Sequence, residues 1–351
     1  MKRVCIVPRV SGVGGMVSFR AKFSAGLEAR GIEVVHDPGL SNFDSLLVIG
    51  GTRDIPGLWR AKRRGVRIVQ RLNGMNWLHH LQPTGIKHYL RAEYGNLILR
   101  TIRARLADHI VYQSRFAQGW WERAFGPTRV SASVIHNAVD LNTYTPAAPD
   151  SKNQTSPSYE LPTDHFRLLL VEGSLMGGYE LGLESAVQLI VLLNSGYLDR
   201  LGKSTKLMVA GRISDEIKNQ WSRKAKGALV WAGLVAPEQI PALDRSAHLL
   251  YSSDINAACP NSVIEALACG LPVLAFDTGA LPELVTGNAG RVVPYGGNPW
   301  QLEQPDIPAL AEAAVEILSE QSRFRTAARQ HAEESFDLDQ MVDRYLDALK
   351  G

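Results

Sequence analysis

Two turns in the 351-residue chain have the composition to hold an anion. The first is Ser11-Gly12-Val13-Gly14-Gly15-Met16, directly after a short apolar run. Its glycines let backbone approach a ligand closely, and the helix that follows offers N–H groups to a phosphate. The spacing Gly12-x-Gly14-x-x-Val17 lacks the third glycine of a dinucleotide fingerprint. Glu33, at the end of the second apolar run, is available as a ribose ligand, so a dinucleotide reading stays open beside a plain tight turn. The second turn runs from Asn256 and Ala257 through Ala258, Cys259, Pro260, Asn261 and Ser262 into a short apolar helix. That helix N-terminus suits a diphosphate. Glu265 is either an acceptor for ribose hydroxyls or the partner of Ser262 in a capping box. Local sequence leaves both open.

The elements that must position these turns alternate strand and helix. Strands are expected at Arg3–Pro8, Ile32–His36, Ser45–Ile49, Val66–Gln70, His109–Gln113 and Ala132–Ile135, with helices near 16–30, 85–106 and 115–125. Residues 146–165 carry four prolines among Ser, Asn, Asp and Thr, the composition of a linker. Alternation restarts at Phe166–Val171 and continues through Lys206–Ala210, Leu229–Trp231, Leu249–Tyr251, Pro272–Phe276 and Gly290–Val293. Leu338–Leu349 is an amphipathic helix with no strand after it. Such alternation predicts parallel sheets with right-handed crossovers, here two α/β doubly wound, Rossmann-like domains facing a central cleft. The expected division is 1–147, a linker at 148–165, a second domain at 166–335 and a C-terminal helix at 336–351.

Composition excludes several classes. A hydrophobic fraction of 45% with 21% charged residues is ordinary for a globular chain, not a disordered or collagen-like one. No signal-peptide core and no membrane-span run is legible, and Cys5, Cys259 and Cys269 lack metal-ligand spacing. The expected compartment is therefore cytoplasmic, with reduced thiols. The net charge of +3 conceals an asymmetry: residues 1–150 hold 21 Lys/Arg against 10 Asp/Glu, and the remainder 17 against 25. Arg60, Lys62, Arg63, Arg64, Arg67 and Arg71 cluster, and Arg100, Arg103 and Arg105 follow. A solvated face is the plain alternative, but interleaved acids are nearly absent there. The cluster is expected to meet a phosphoglycan, a polyprenyl-diphosphate-linked sugar or the anionic inner membrane face. No nucleic-acid motif accompanies the charge. The nine histidines, adjacent His79 and His80 among them, are read as surface residues without metal-site spacing. Trp120 and Trp121, with Phe116 and Phe125, are read as a core stripe rather than a sugar platform.

VIEALACGLPVLAFDTGALPELV (263–285) resembles the signature region of family 4 glycosyltransferases, retaining enzymes of the GT-B fold. The surrounding pieces resemble that family in the same order: SGVGGMVSFR, ADHIVYQSRFAQ (107–118), VIHNAVDLNTYTP (134–146), VAGRI (209–213) and GLVAPEQIPAL. The resemblance spans nearly the whole chain. It implies transfer of a sugar from a nucleotide-diphosphate sugar, bound mainly by the C-terminal domain, to a glycan or lipid-linked acceptor in cell-surface polysaccharide or glycolipid synthesis. It also implies retention at the anomeric carbon, no metal and no further cofactor, and a final helix that crosses back onto the N-terminal domain. Glu265 becomes the ribose ligand, and the loop of Ala258, Cys259, Pro260, Asn261 and Ser262, through the N–H groups of its non-proline residues, with the amides of Gly12, Gly14 and Gly15, meets the charge developing on the leaving diphosphate.

The chain departs from the family pattern at three places. Ala257 replaces the first signature glutamate, with Asp254 as a shifted substitute. Ser174 and Gly177 stand where the family carries its donor-phosphate Arg and Lys, so a nest from Gly173 onward and Arg212 are expected to take over. Asn73 holds the place of a histidine near the reacting centre. The alternatives are a sugar-nucleotide or glycan binder that has lost turnover, or an NAD-dependent oxidoreductase or epimerase using Gly12–Gly15.

Overall fold

The computed structural model describes residues 1–12, 14–40, 42–82, 85–146, 161–175 and 180–351. Val13, Gly177 and positions 148–160 of the expected linker lie outside the described residues. The chain forms two compact units, one of Met1–Ala138 with Leu338–Gly351, the other of Val139–Asp337.

The first unit runs β1 (Arg3–Val7), α1 (Gly15–Glu28), β2 (Glu33–Val35), β3 (Ser45–Ile49), α2 (Ile55–Arg63), β4 (Arg67–Leu72), α3 (Ile86–Arg105), β5 (His109–Tyr112), α4 (Arg115–Phe125) and β6 (Ser131–Val134). The second runs β7 (Phe166–Ser174), α5 (Glu180–Gly196), α6 (Leu198–Leu201), β8 (Thr205–Arg212), α7 (Asp215–Lys224), β9 (Leu229–Gly233), α8 (Ile240–Arg245), β10 (Leu249–Tyr251), α9 (Asn261–Ala268), β11 (Val273–Phe276), α10 (Leu281–Leu284), β12 (Gly290–Val293), α11 (Ile307–Ser319) and α12 (Gln321–Ser335). The last helix, α13 (Leu338–Lys350), returns to the first unit.

Each unit holds a six-stranded parallel sheet, ordered β2-β1-β3-β4-β5-β6 and β12-β11-β10-β7-β8-β9. Chain order reverses between β1 and β3 in the first sheet and between β7 and β10 in the second. A crevice opens outside the carboxyl ends of strands at such reversals, where ligands of this architecture bind. Helices cover both faces, which is why β3, SLLVI, is buried at every position.

α13 is part of the first unit's core. Met341, Val342, Tyr345, Leu346 and Leu349 pack with Phe19, Phe23 and Val69, and the Tyr345 ring lies 5.1 and 5.3 Å from those of Phe19 and Phe23. Gly26 permits the approach: a Cβ there would lie 2.6 Å from Val342 Cγ2. Arg30 pairs with Asp339 and Asp343 at the rim. In the second unit, Arg329 donates to the carbonyls of Tyr144 and Ala268, both at 2.7 Å, which ties residues 139–146 to the end of α9. Among the described residues no helix is long and apolar enough to cross a membrane.

Candidate functional site

In the second unit the carboxyl ends of β7, β8 and β10 converge with the N-terminus of α9. Gly173 and Ser174 are exposed at the end of β7, and Ser174 lies in register with exposed Arg212 on β8. Leu175 N–H donates to Arg212 O at 2.9 Å, extending the pairing past the apolar strand. Gly211 is required there: its φ is +152°, and a Cβ would lie 2.5 Å from Glu172 O. Ser253 Oγ, just past β10, donates to Glu172 Oε1 at 2.7 Å. Burial, joined by the neighbouring Asp254 charge, holds the Glu172 carboxyl well above the usual range. Burial likewise pushes Asp254 up to about 6. The sequence reading missed Glu172, whose only signal is an acid directly after the apolar run LLLV of β7.

The loop before α9 is fixed from below. Ala280 N–H donates to Ala257 O at 2.8 Å, and a Cβ on Gly279 (φ +61°) would lie 2.5 Å from both Ala257 N and O. Asn256 adopts φ +57°, is 4% exposed, and its Nδ2 has no partner among the described residues. Ala258, Cys259 and Pro260 lead into the helix, whose first residues are Asn261 and Ser262. Pro260 is the N-cap and no side chain caps the helix, so the Ser262–Glu265 capping box does not form. Glu265 instead accepts the Tyr144 hydroxyl, and burial with the Glu265 charge drives the Tyr144 phenol upward. Buried Asp244, 1% exposed, is also pushed well up, first by burial and then by Glu265. Tyr144 lies within the resembling stretch 134–146 and Asp244 directly follows that at 233–243, but only packing brings them to Glu265.

In the first unit the carboxyl edge carries Gly12, Gly14, Gly15 and Asn73. Gly14 is the N-cap of α1 at φ 140°, with no side-chain cap. Gly50, at φ +69°, is where the pieces meet: a Cβ there would lie 3.5 Å from both Asn73 Oδ1 and Met16 Sδ. Asn73 Oδ1 is buried with no partner among the described residues. The two tryptophans of α4 hold this loop. Trp121 Nε1 donates to Asn73 O at 2.7 Å, and a Cβ on Gly74 would lie 2.5 Å from the Trp120 ring. Trp121 is a core residue that also fixes the candidate site.

Several expectations are corrected. Arg71 does not belong to a surface patch: it is 1% exposed, stacks at 4.0 Å on Phe19 and donates to Asn137 Oδ1 at 2.7 Å. The two-residue period puts Arg71 on the face of Val69, beneath α1 and α13. Arg64 donates to Pro38 and Leu40 carbonyls, and Arg67 to Ala348 O at 2.8 Å, so both bind the fold together. Arg60 and Arg63 remain exposed, with Arg63 stacked 4.2 Å over Trp59. They lie in the last turn of α2, and in a parallel α/β unit helix C-termini share the edge of strand N-termini, opposite Gly12 and Asn73. Glu33 opens β2 rather than closing it and pairs with Arg3, so it is at the wrong strand end for a ribose. The histidines are not all superficial: His79, His109 and His248 are 5%, 9% and 4% exposed. His79 and His80 both reach Glu93, at 2.7 and 3.1 Å. All three cysteines are buried and none is in a disulfide.

Residues 179–320 match the family described as glycosyl transferases group 1. A GDP-mannose-dependent monoacylated alpha-(1-6)-phosphatidylinositol monomannoside mannosyltransferase of Corynebacterium glutamicum is 25% identical over 252 residues, 69% of this chain and 62% of the relative. The match thus spans a little under two thirds of that relative's length. Sucrose-phosphate synthase from Thermosynechococcus elongatus superposes with a TM-score of 0.73 at 13% identity, covering 100% of this chain and 98% of that one. Anabaena HepE, solved with UDP and glucose, gives 0.69 at 15% identity with both chains fully covered (100% each). These structural likenesses establish the fold, two Rossmann-like domains of the GT-B type.

Proposed function

We propose that this chain, whose residues 179–320 match the group 1 glycosyltransferases, transfers a sugar from a nucleotide-diphosphate sugar to a glycan or lipid-linked acceptor, with retention and without a metal. One coincidence carries the reading. The matched stretch contains both α9, with its uncapped N-terminus, and β10, which flanks the strand-order reversal of the second unit. A leaving diphosphate needs positive potential, which the first amides of α9, the backbone of Gly173 and Ser174, and the Arg212 guanidinium supply. Glu265, oriented by Tyr144, accepts from the ribose hydroxyls. In the first unit Asn73, Gly14 and Gly15 serve the reacting centre, with the Asn73 amide in the place of an ionisable group.

A lipid-linked acceptor is supported by α3. Ile86, Leu90, Tyr94 and Leu97 are 80%, 61%, 50% and 54% exposed and recur at helical spacing, with Lys87, Arg91 and Arg100 exposed among them. This stripe, rather than the arginine cluster of α2, is the proposed contact with an anionic inner-face membrane.

Thermal-shift screening with UDP-, GDP-, ADP- and CDP-sugars tests the donor reading. One class should raise the melting temperature, and Glu265→Gln should weaken its binding about tenfold or more, roughly one to two lost hydrogen bonds to a charged group, with an unchanged circular dichroism spectrum. A fluorescence signal with NADH and no shift with any sugar nucleotide would sink it.

A further inference from the structure

We propose that His79, His80 and Glu93 form a site for one divalent transition-metal cation of the zinc class. The 3₁₀ turn Leu78–His80, between β4 and α3, brings the consecutive imidazoles side by side, ring centroids 4.1 Å apart. Their Nε2 atoms converge on Glu93 Oε1, at 2.7 Å from His79 and 3.1 Å from His80. All three donor atoms lie within 4.8 Å of one another. A tetrahedral cation with bonds of about 2.0–2.1 Å spaces its ligand atoms about 3.3 Å apart, comparable to the 2.7 and 3.1 Å that separate Glu93 Oε1 from the two imidazoles.

The surroundings favour a built site over a chance encounter. The His79 side chain is 1% exposed, whereas those of His80 and Glu93 are 51% and 43% exposed. One side is therefore walled by protein, and the other leaves a position for water or an outside ligand. The Tyr89 ring stands edge-on to both imidazoles, at 5.0 and 5.6 Å, and limits their rotation. Glu93 is the single acid of α3, a helix with five Lys/Arg, and it is placed opposite the histidine pair. Two neutral imidazoles and one carboxylate suit zinc, cobalt or nickel and disfavour magnesium and calcium, which take oxygen ligands. The bound cation would tie the β4–α3 connection to the second turn of α3 and hold the exposed apolar stripe of that helix in place.

The test uses the full-length chain without a histidine tag. Titration with cobalt(II) should give visible absorption bands saturating at one equivalent, displaced by zinc and not by magnesium. His80→Gln and Glu93→Gln, both at partly exposed positions and each removing a ligand, should each weaken binding at least about tenfold, since loss of even an outer group of a metal site costs that much. His88→Gln, outside the trio on an exposed position of α3, should bind as the wild type does. Absence of a saturable one-to-one cobalt complex overturns the proposal. So does unchanged affinity in both His80→Gln and Glu93→Gln, which would leave only a hydrogen-bonded trio.

Discussion

Glu172 and Asp254 sit where ionisation is opposed, at the strand-order reversal of the second unit, and that has a measurable consequence. With Asp254 at about 6 in the folded state against 3.8 for the free group, the native protein binds more protons than the unfolded chain between about pH 4 and 6. Stability from this group therefore falls as pH rises through that window, and Glu172 is shifted in the same direction. His248, lowered to about 4 chiefly by burial, acts oppositely over the same range, so the informative quantity is a difference between proteins. Asp254→Asn should be more stable than wild type by roughly 1–3 kcal/mol at pH 7, and the gain should vanish near pH 4. Urea denaturation at both pH values checks this; an equal difference at the two would refute it. A stability cost kept in a crevice is what a ligand site retains for function. Asp254 was legible in the sequence as a shifted acid, but its partner Glu172 was not, because the pair forms only when β7 and β10 lie side by side.

Among the elements, α3 is the one whose exposed face matters most. Its helix was readable over 85–106 from periodicity, and its apolar residues at 86, 90, 94 and 97 were present in the string. Which side of the helix meets the sheet is a tertiary matter: Ala92, Ile102 and Arg103 are buried and Ile98 and Leu99 pack against the cores, while Ile86, Leu90, Tyr94 and Leu97 face outward. Inserting Leu90 or Ile86 into a bilayer gains about 1.5–3 kcal/mol each. Leu90→Glu is therefore expected to lower co-sedimentation with anionic phospholipid vesicles about tenfold while leaving the melting temperature unchanged. Equal co-sedimentation of both proteins would remove the membrane contact from the proposal. The same distinction between period and direction explains Arg71. A basic residue among basic neighbours reads as surface, yet its place in β4 aims it into the core.

At the scale of the molecule, the first unit depends on the far end of the chain. Tyr345 is fully buried against Phe19 and Phe23, so Tyr345→Ala opens a cavity in the core that α13 completes. The expected loss is about 3–4 kcal/mol, read as a lower urea midpoint for the first unit. A change below about 0.5 kcal/mol would mean that α13 is peripheral to that core. The charge asymmetry also takes structural form. Much of the arginine excess in the first unit is consumed in holding elements together, through Arg64, Arg67, Arg71 and Arg103. By itself the sequence determined the two α/β units, nearly every strand, and the short helix that follows the polar loop after β10, because periodicity and turn chemistry are local. Only the tertiary structure decided that Glu265 meets Tyr144, that Glu172 meets Asp254, and that two histidines share Glu93. The first two encounters join positions far apart in the chain, brought together by packing that no local pattern records, and the third depends on how the turn before α3 folds back against that helix.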